Sequence, residues 1–210
     1  MYYVGLDVSQ KLTAICIVDN KGKVIAEGKI LTLPSDIYSW VTTRLDGMGT
    51  IVKVGLETGA MSNWLCHELT QLGLPMVCLE AFQAHRFLEA HRNKTDRNDA
   101  RGLAQLVRMG EAFIKPVTIR SQASQETRAA LALRQQLVKQ KTAVENTIGG
   151  IFKAFGLIVQ RGHLGKGTFQ RRVVEKLCEA EIRGINLREA VTSALALHQT
   201  LEEQITVLTR

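Results

Sequence analysis

Four acidic residues stand where their chemistry could be shared. Val4-Gly5-Leu6-Asp7 and Val54-Gly55-Leu56-Glu57 repeat one order of residue types, and each reads as the end of a β-strand. Side chains alternate along a strand, so the glycine and the acid share one face while valine and leucine share the other. The glycine leaves space on the acid's face. If the two strands are neighbours, Asp7 and Glu57 meet. The other two acids lie in Lys94-Thr95-Asp96-Arg97-Asn98-Asp99-Ala100-Arg101. At 100° per helical residue, Asp96, Asp99, Leu103 and Leu106 fall within an arc of about 80°. An apolar stripe suited to packing on a sheet therefore runs into two aspartates. Arg97, Arg101 and Arg108 form a separate stripe expected to face solvent.

Carboxylates on a core-facing stripe are costly unless a cation meets them. Four such oxygen donors would balance two Mg²⁺ ions held about 4 Å apart, with Mn²⁺ as a substitute. In that chemistry one ion activates an attacking hydroxyl or water and the other stabilises the leaving oxygen of a phosphodiester. Without metal, mutual repulsion should raise the carboxyl pKa values. Taken singly, each acid has a plainer reading: a strand-end cap for Asp7, a helix-start acid for Glu57, a solvated face for the Asp/Arg helix. Their joint placement favours the metal site.

The elements needed to position these acids can be read in order. Tyr2 to Val8, Leu12 to Asp19 and Val24 to Leu31 are β-rich, with a tight turn at Asn20-Lys21-Gly22-Lys23. Pro34-Ser35-Asp36 opens a helix carrying Ile37, Trp40, Val41 and Leu45. A fourth strand runs from Ile51, a helix from Ser62 to Leu72, and a fifth strand from Pro75 to Leu79. The order βββαβαβ predicts an α/β fold, a mixed five-stranded sheet with flanking helices. Residues 81–110 read as helical with a break near Arg92-Asn93-Lys94-Thr95, where Thr95 is a cap candidate. A long helix follows from about Gln122 to Phe155, with Leu133, Leu137, Val144, Ile148, Ile151 and Phe155 at helical spacing. The stretch from Gln160 to Gly167 reads as a loop. A last helix begins near Leu187, with a heptad seam of Leu187, Val191, Ala194, His198, Leu201, Ile205 and Leu208. We expect a domain over 1–115 and a helical region over 116–210. His198 on the seam should set register, and His85 and His91 should have packing or surface roles.

The chain has 210 residues and a net charge of +7, unevenly spread: −2 over residues 1–80 and +9 over residues 81–210. A basic second part fits phosphate-dominated, salt-sensitive binding of nucleic acid. The candidate contacts are Arg92, Lys94, Arg97, Arg101, Arg128, Arg134, Lys139 and Lys141. Aromatic residues make up only 5%, so base stacking is not the expected mode. Cys16, Cys66, Cys78 and Cys178 form no metal-binding spacing and read as reduced, buried thiols. No stretch has the length of a membrane span, and Met1 to Asp7 does not look like a signal peptide, so a cytoplasmic protein is expected.

Gly5-Leu6-Asp7-Val8-Ser9, Glu57-Thr58-Gly59 and above all Asn93-Lys94-Thr95-Asp96-Arg97-Asn98-Asp99-Ala100-Arg101-Gly102-Leu103-Ala104 resemble the DEDD transposases of the insertion-sequence one-ten (IS-one-ten) family. The resemblance extends over essentially the whole chain. It implies a RuvC-like, ribonuclease-H-like domain whose metal is bound by Asp7, Glu57, Asp96 and Asp99. It implies a coiled-coil region, here the long helices, that builds homo-oligomers. It implies DNA recombination guided by a structured non-coding bridge RNA, in a nucleoid-associated protein. A downstream domain bearing a serine nucleophile is also implied, and no serine of this chain is given that role. Two other readings compete. An actin-like ATPase or sugar kinase would want Gly with Thr or Ser after the first acid, where Val8-Ser9-Gln10 stands. A non-catalytic nucleic-acid-binding module would share the fold without metal.

Overall fold

A computed structural model describes residues 1–89, 95–110, 113, 115–160 and 167–209. The chain divides into two compact units, Met1–Arg120 and Ser121–Arg210. The boundary lies five residues beyond the expected 115/116. The connector belongs to the first unit because Pro116 forms a bridge with Leu79 and the Val117 amide donates to the Cys78 carbonyl.

The first unit is built on strands β1 (Tyr2–Val8), β2 (Leu12–Asp19), β3 (Val24–Leu31), β4 (Ile51–Glu57) and β5 (Met76–Leu79). Their order is β3-β2-β1-β4-β5. The first three strands pair antiparallel, whereas β4 lies parallel to both β1 and β5. This is the mixed five-stranded sheet expected from the order of elements. Helices α1 (Pro34–Leu45) and α2 (Ser62–Gln71) cover one face. There Val4, Leu6, Ile15, Ile17, Val54 and Leu56 pack with Ile37, Val41, Leu65 and Leu69, all fully buried or nearly so. Each such side chain contributes roughly 1.5–3 kcal/mol of burial.

The opposite face carries α3 (Ala81–Glu89) and α4 (Asp96–Met109). Thr95 caps α4 as expected, its hydroxyl accepting from the Asn98 amide. Leu103, Leu106 and Val107 pack with Leu79 and Ala84, while Ala100 and Ala104 meet Ala14, Cys16 and Val18. The stripe read from the sequence climbs out of the core. Leu106 and Leu103 are buried, Asp99 is half-buried and Asp96 is exposed.

The second unit holds α5 (Gln122–Ala154), α6 (Thr168–Ile182) and α7 (Arg188–Val207). α6 lies within a stretch for which sequence reasoning had assigned no element. Its buried stripe, Phe169, Val173, Leu177 and Ala180, packs in one apolar cluster with Ile148 and Phe152 of α5 and Val191 of α7. Cys178 falls off that stripe and is exposed, which corrects its expected burial. α5 and α7 run antiparallel, with Arg134 donating to Thr209 and His198 facing Glu145. The heptad seam is therefore used within this chain at Val191, His198 and Leu201. Only part of the α5 stripe is covered: Ile148 is buried, but Leu133 and Phe155 are exposed.

His198 is fully buried. Its Nε2 lies 2.8 Å from Glu145 and its Nδ1 lies 3.0 Å from the Gln170 amide nitrogen, which ties the three helices together. Gly150 sits inside α5 with nothing within 4 Å of where a Cβ would be. Gly150→Ala should therefore stabilise the chain by about 0.5–1 kcal/mol, because it removes main-chain freedom from the unfolded state at no steric cost. Urea denaturation of the two proteins checks this.

Candidate functional site

Two glycines let α4 rest on the sheet. A Cβ on Gly5 would lie 2.2 Å from the Ala100 carbonyl oxygen and 2.3 Å from the Ala104 amide nitrogen. A Cβ on Gly55 would lie 2.1 Å from a Val107 methyl. Gly5 and Gly55 are register partners on the parallel strands β1 and β4. Each strand carries an acid two residues on, and the contact of α4 with Gly5 brings its first turn, with Asp96 and Asp99, near enough for both to act on Asp7. The space that the V-G-L-acid runs left open is filled by the helix that carries the other two acids.

Asp7 is at the centre of the resulting field. Burial is the largest cause that pushes its carboxyl up, to about 6, and Asp99, Asp96 and Glu57 follow in that order, against a lowering by Lys29. Asp96 behaves oppositely. The Lys29 ammonium donates to its Oδ2 at 2.5 Å and holds its carboxyl below the usual range.

The donor set suits a hard divalent cation in chemistry, since four carboxylates share one field and one of them resists ionisation there. It is not drawn onto a single point. Among the described residues, no three His, Cys, Asp or Glu side chains are gathered closely enough to hold one metal ion. Beyond the ends of β1 and β4 lies a hollow of about 360 Å³, lined in part by Ser9, Gln10, Glu57 and Gly59.

Sequence reasoning missed Glu27 and Lys29. Both lie on β3, in register with Cys16 and Ala14, and so on the face that carries α4. The arginine stripe of α4 does not simply face solvent, which is a correction. Arg97 and Arg101 both pair with Glu27, and Arg108 donates to Gln105 and to the Asn20 carbonyl. The reason is that β3 brings a carboxylate under them. Sequence reading gave no pairing across that distance, although alternation along β3 places Glu27 and Lys29 together. The Arg101 guanidinium, the leading influence, and that of Arg97 hold the Glu27 carboxyl below its ordinary value of 4.5, against a rise from burial.

A depressed carboxyl adds stability that is present above the unfolded value and fades as pH falls through the folded one. Glu27→Gln should therefore cost about 1–3 kcal/mol at pH 7. The gap between variant and wild type should close below pH 4.5. Urea denaturation at both pH values measures it.

The other basic candidates divide. Arg92 and Lys94 lie outside the described residues, as does His91. Arg134 is bonded to Thr209, and Lys141 stands 3.7 Å from Glu145 and 3.5 Å from Glu202. Arg128 and Lys139 are exposed on α5. His85 pairs with Glu89 on the surface of α3. Among the described residues, no helix is long and apolar enough to cross a membrane.

A family model of transposases, the DEDD group of IS110, matches residues 4–155. The chain belongs to the IS110 family of DEDD transposases. Sites of this class depend on a divalent metal, and the family takes the place of the ATPase alternative. The chain is also 27% identical over 165 residues to the transposase for insertion sequence element IS1111A of Coxiella burnetii. That match takes in 76% of this chain and 41% of the relative, so the chain spans less than half of its length. Two solved structures from Thermus thermophilus are similar at 16% identity over 56% of this chain. One is RuvC, with a TM-score of 0.41 and all of its chain covered. The other is RuvC in complex with a Holliday junction substrate, with a TM-score of 0.38 and 99% of its chain covered.

Proposed function

We propose that Asp7, Glu57, Asp96 and Asp99 hold Mg²⁺ and that the chain is the metal-dependent part of a DNA transposase acting on phosphodiesters. The observation that carries this reading is the Asp7 environment. Its carboxyl is pushed up to about 6 by burial and then by the three acids named with it, Asp99, Asp96 and Glu57. A divalent cation, when bound, lowers the pKa of the attacking hydroxyl or water and stabilises the leaving oxygen.

The chain's own residues supply position. Gly5 and Gly55 fix the height of α4 above the strand ends. Thr95 fixes where the helix begins, and with it the rotation of Asp96 and Asp99 about its axis. The hollow lined by Glu57, alone of the four acids, is where a phosphodiester would reach that end of the site. On this reading Arg128 and Lys139 contact nucleic acid phosphates, together with Arg92 and Lys94. Arg97, Arg101, Arg134 and Lys141 reach phosphates by exchanging their present partners.

Guidance by a bridge RNA and assembly of a homo-oligomer through the long helices belong to the same reading, by family resemblance. The exposed Leu133 on α5 is compatible with that assembly.

The test is a transposition assay of the protein in which this chain occurs, with Asp7→Asn and Asp99→Asn, in Mg²⁺ and in chelator. Loss of recombination in both variants and in chelator is expected. Recombination at the wild-type level in either variant would overturn the site. A correctly folded wild-type chain that binds nucleic acid but gives no response to divalent cation would point to the non-catalytic module instead.

A further inference from the structure

Lys29, Ala14 and Asp7 are register partners on the neighbouring strands β3, β2 and β1. Partners opposite one another share a face, so the three side chains form a row under the start of α4. Two strand spacings, about 10 Å, separate the ends of that row, and the lysine side chain spans more than half of it. Ala14 contributes only a methyl group and does not block the way. The ammonium stops on Asp96, with both side chains about half exposed. A cleft of about 600 Å³ opens beside the pair, lined by Ala14, Lys29, Thr95 and Asp96 among others.

We propose that Lys29 is an internal counter-ion that holds Asp96 apart from Asp7, Glu57 and Asp99, and that a divalent cation entering the site must displace it to recruit Asp96. The proposal rests on the metal-dependent reading above and concerns how that site is assembled. Two observations support it besides the contact itself. The described acids are not gathered for metal, although α4 is seated so that its first turn faces Asp7. Lys29 also supplies the attraction that opposes three repulsive carboxylates at Asp7. A single monovalent charge thus does part of what a divalent ion would do more strongly. An exposed ion pair is weak enough to exchange, and the cleft leaves the ammonium room to move once displaced.

Calorimetric titration of the chain with Mn²⁺ tests this in wild type, Lys29→Met, Lys29→Arg, Asp96→Asn, the Lys29→Met/Asp96→Asn double variant and Asp7→Asn. Lys29→Met should bind Mn²⁺ about twofold to fivefold more tightly, the range an exposed ion pair is worth. Lys29→Arg should stay near wild type. The gain should vanish in the Asp96→Asn background, because the pair is then already broken. Equal or weaker binding by Lys29→Met overturns the proposal. So does the same gain in the double variant, which would reflect only long-range charge. Mn²⁺ binding lost in Asp7→Asn, with Lys29→Met behaving as wild type, would refute the counter-ion and leave the metal site standing. No Mn²⁺ binding by wild type, or undiminished binding by Asp7→Asn, would overturn both. Circular-dichroism melts of each variant establish that it is folded.

Discussion

Gly5→Ala should lower the melting temperature of the first unit by about 10–20 °C, the equivalent of roughly 3 kcal/mol. The added Cβ would meet the Ala100 carbonyl oxygen, the Ala104 amide nitrogen and the Leu103 carbonyl carbon at 2.2, 2.3 and 2.9 Å. All three are main-chain atoms of α4, so no rotamer change relieves the contact. Either the helix lifts from the sheet or β1 bends away from β2 and β4. Lifting the helix uncovers Leu103, Leu106 and Val107 and carries Asp96 and Asp99 away from Asp7. Gly55→Ala should be milder, since its nearest contact is a single Val107 side chain and not the main chain of α4. Thermal and urea denaturation of both variants measure the difference. A Gly5→Ala protein melting with wild type would show that α4 does not rest on this strand.

Asp7→Asn should abolish divalent binding and at the same time stabilise the metal-free chain above pH 6, where the Asp7 carboxyl is ionised. The two effects have one cause. Burial and three neighbouring acids make the Asp7 charge unfavourable in the absence of a cation, and on the proposed metal reading the same charge would draw a cation in. Removing it should raise the melting temperature of the chain in chelator by a few degrees, while the increase that Mn²⁺ gives to wild type disappears. Scanning fluorimetry with and without Mn²⁺ reads both. A variant that loses stability in chelator, or that keeps the Mn²⁺ increase, would contradict this account of the site.

Much of the first unit could be read from residue types alone because its signals are local. Alternation in Tyr2–Val8 and Leu12–Asp19, the Asn20-Lys21-Gly22 turn and the Thr95 cap each act within a few residues. The repeated V-G-L-acid runs added one non-local inference, that two strand ends meet, and Gly5 and Gly55 are indeed partners across β1 and β4. What escaped depends on distant pairing. Glu27 meets arginines 70 and 74 positions away, and Lys29 meets an acid 67 positions away. Their single-residue signal is that of any charged edge strand. α6 was missed for another reason. Its stripe follows directly on a glycine-containing stretch, so the apolar spacing from Phe169 to Ala180 was not separated from the loop. The heptad of α7 was legible, but whether it would meet its own chain or another depended on α5, which turns back against it.

The seating of α4 also bears on how fast the site can change. With its main chain against Gly5, the helix has no low-cost slide or rotation available. Rearrangement of the acids is left to the torsions of Asp96, Asp99 and Lys29, two of which are half exposed in their ion pair. Side-chain rotation at such positions takes picoseconds to nanoseconds, whereas displacement of a packed helix takes microseconds or longer. On the proposed metal reading, assembly of the carboxylates around a cation would then be a matter of side-chain rotation and would not wait for α4 to move.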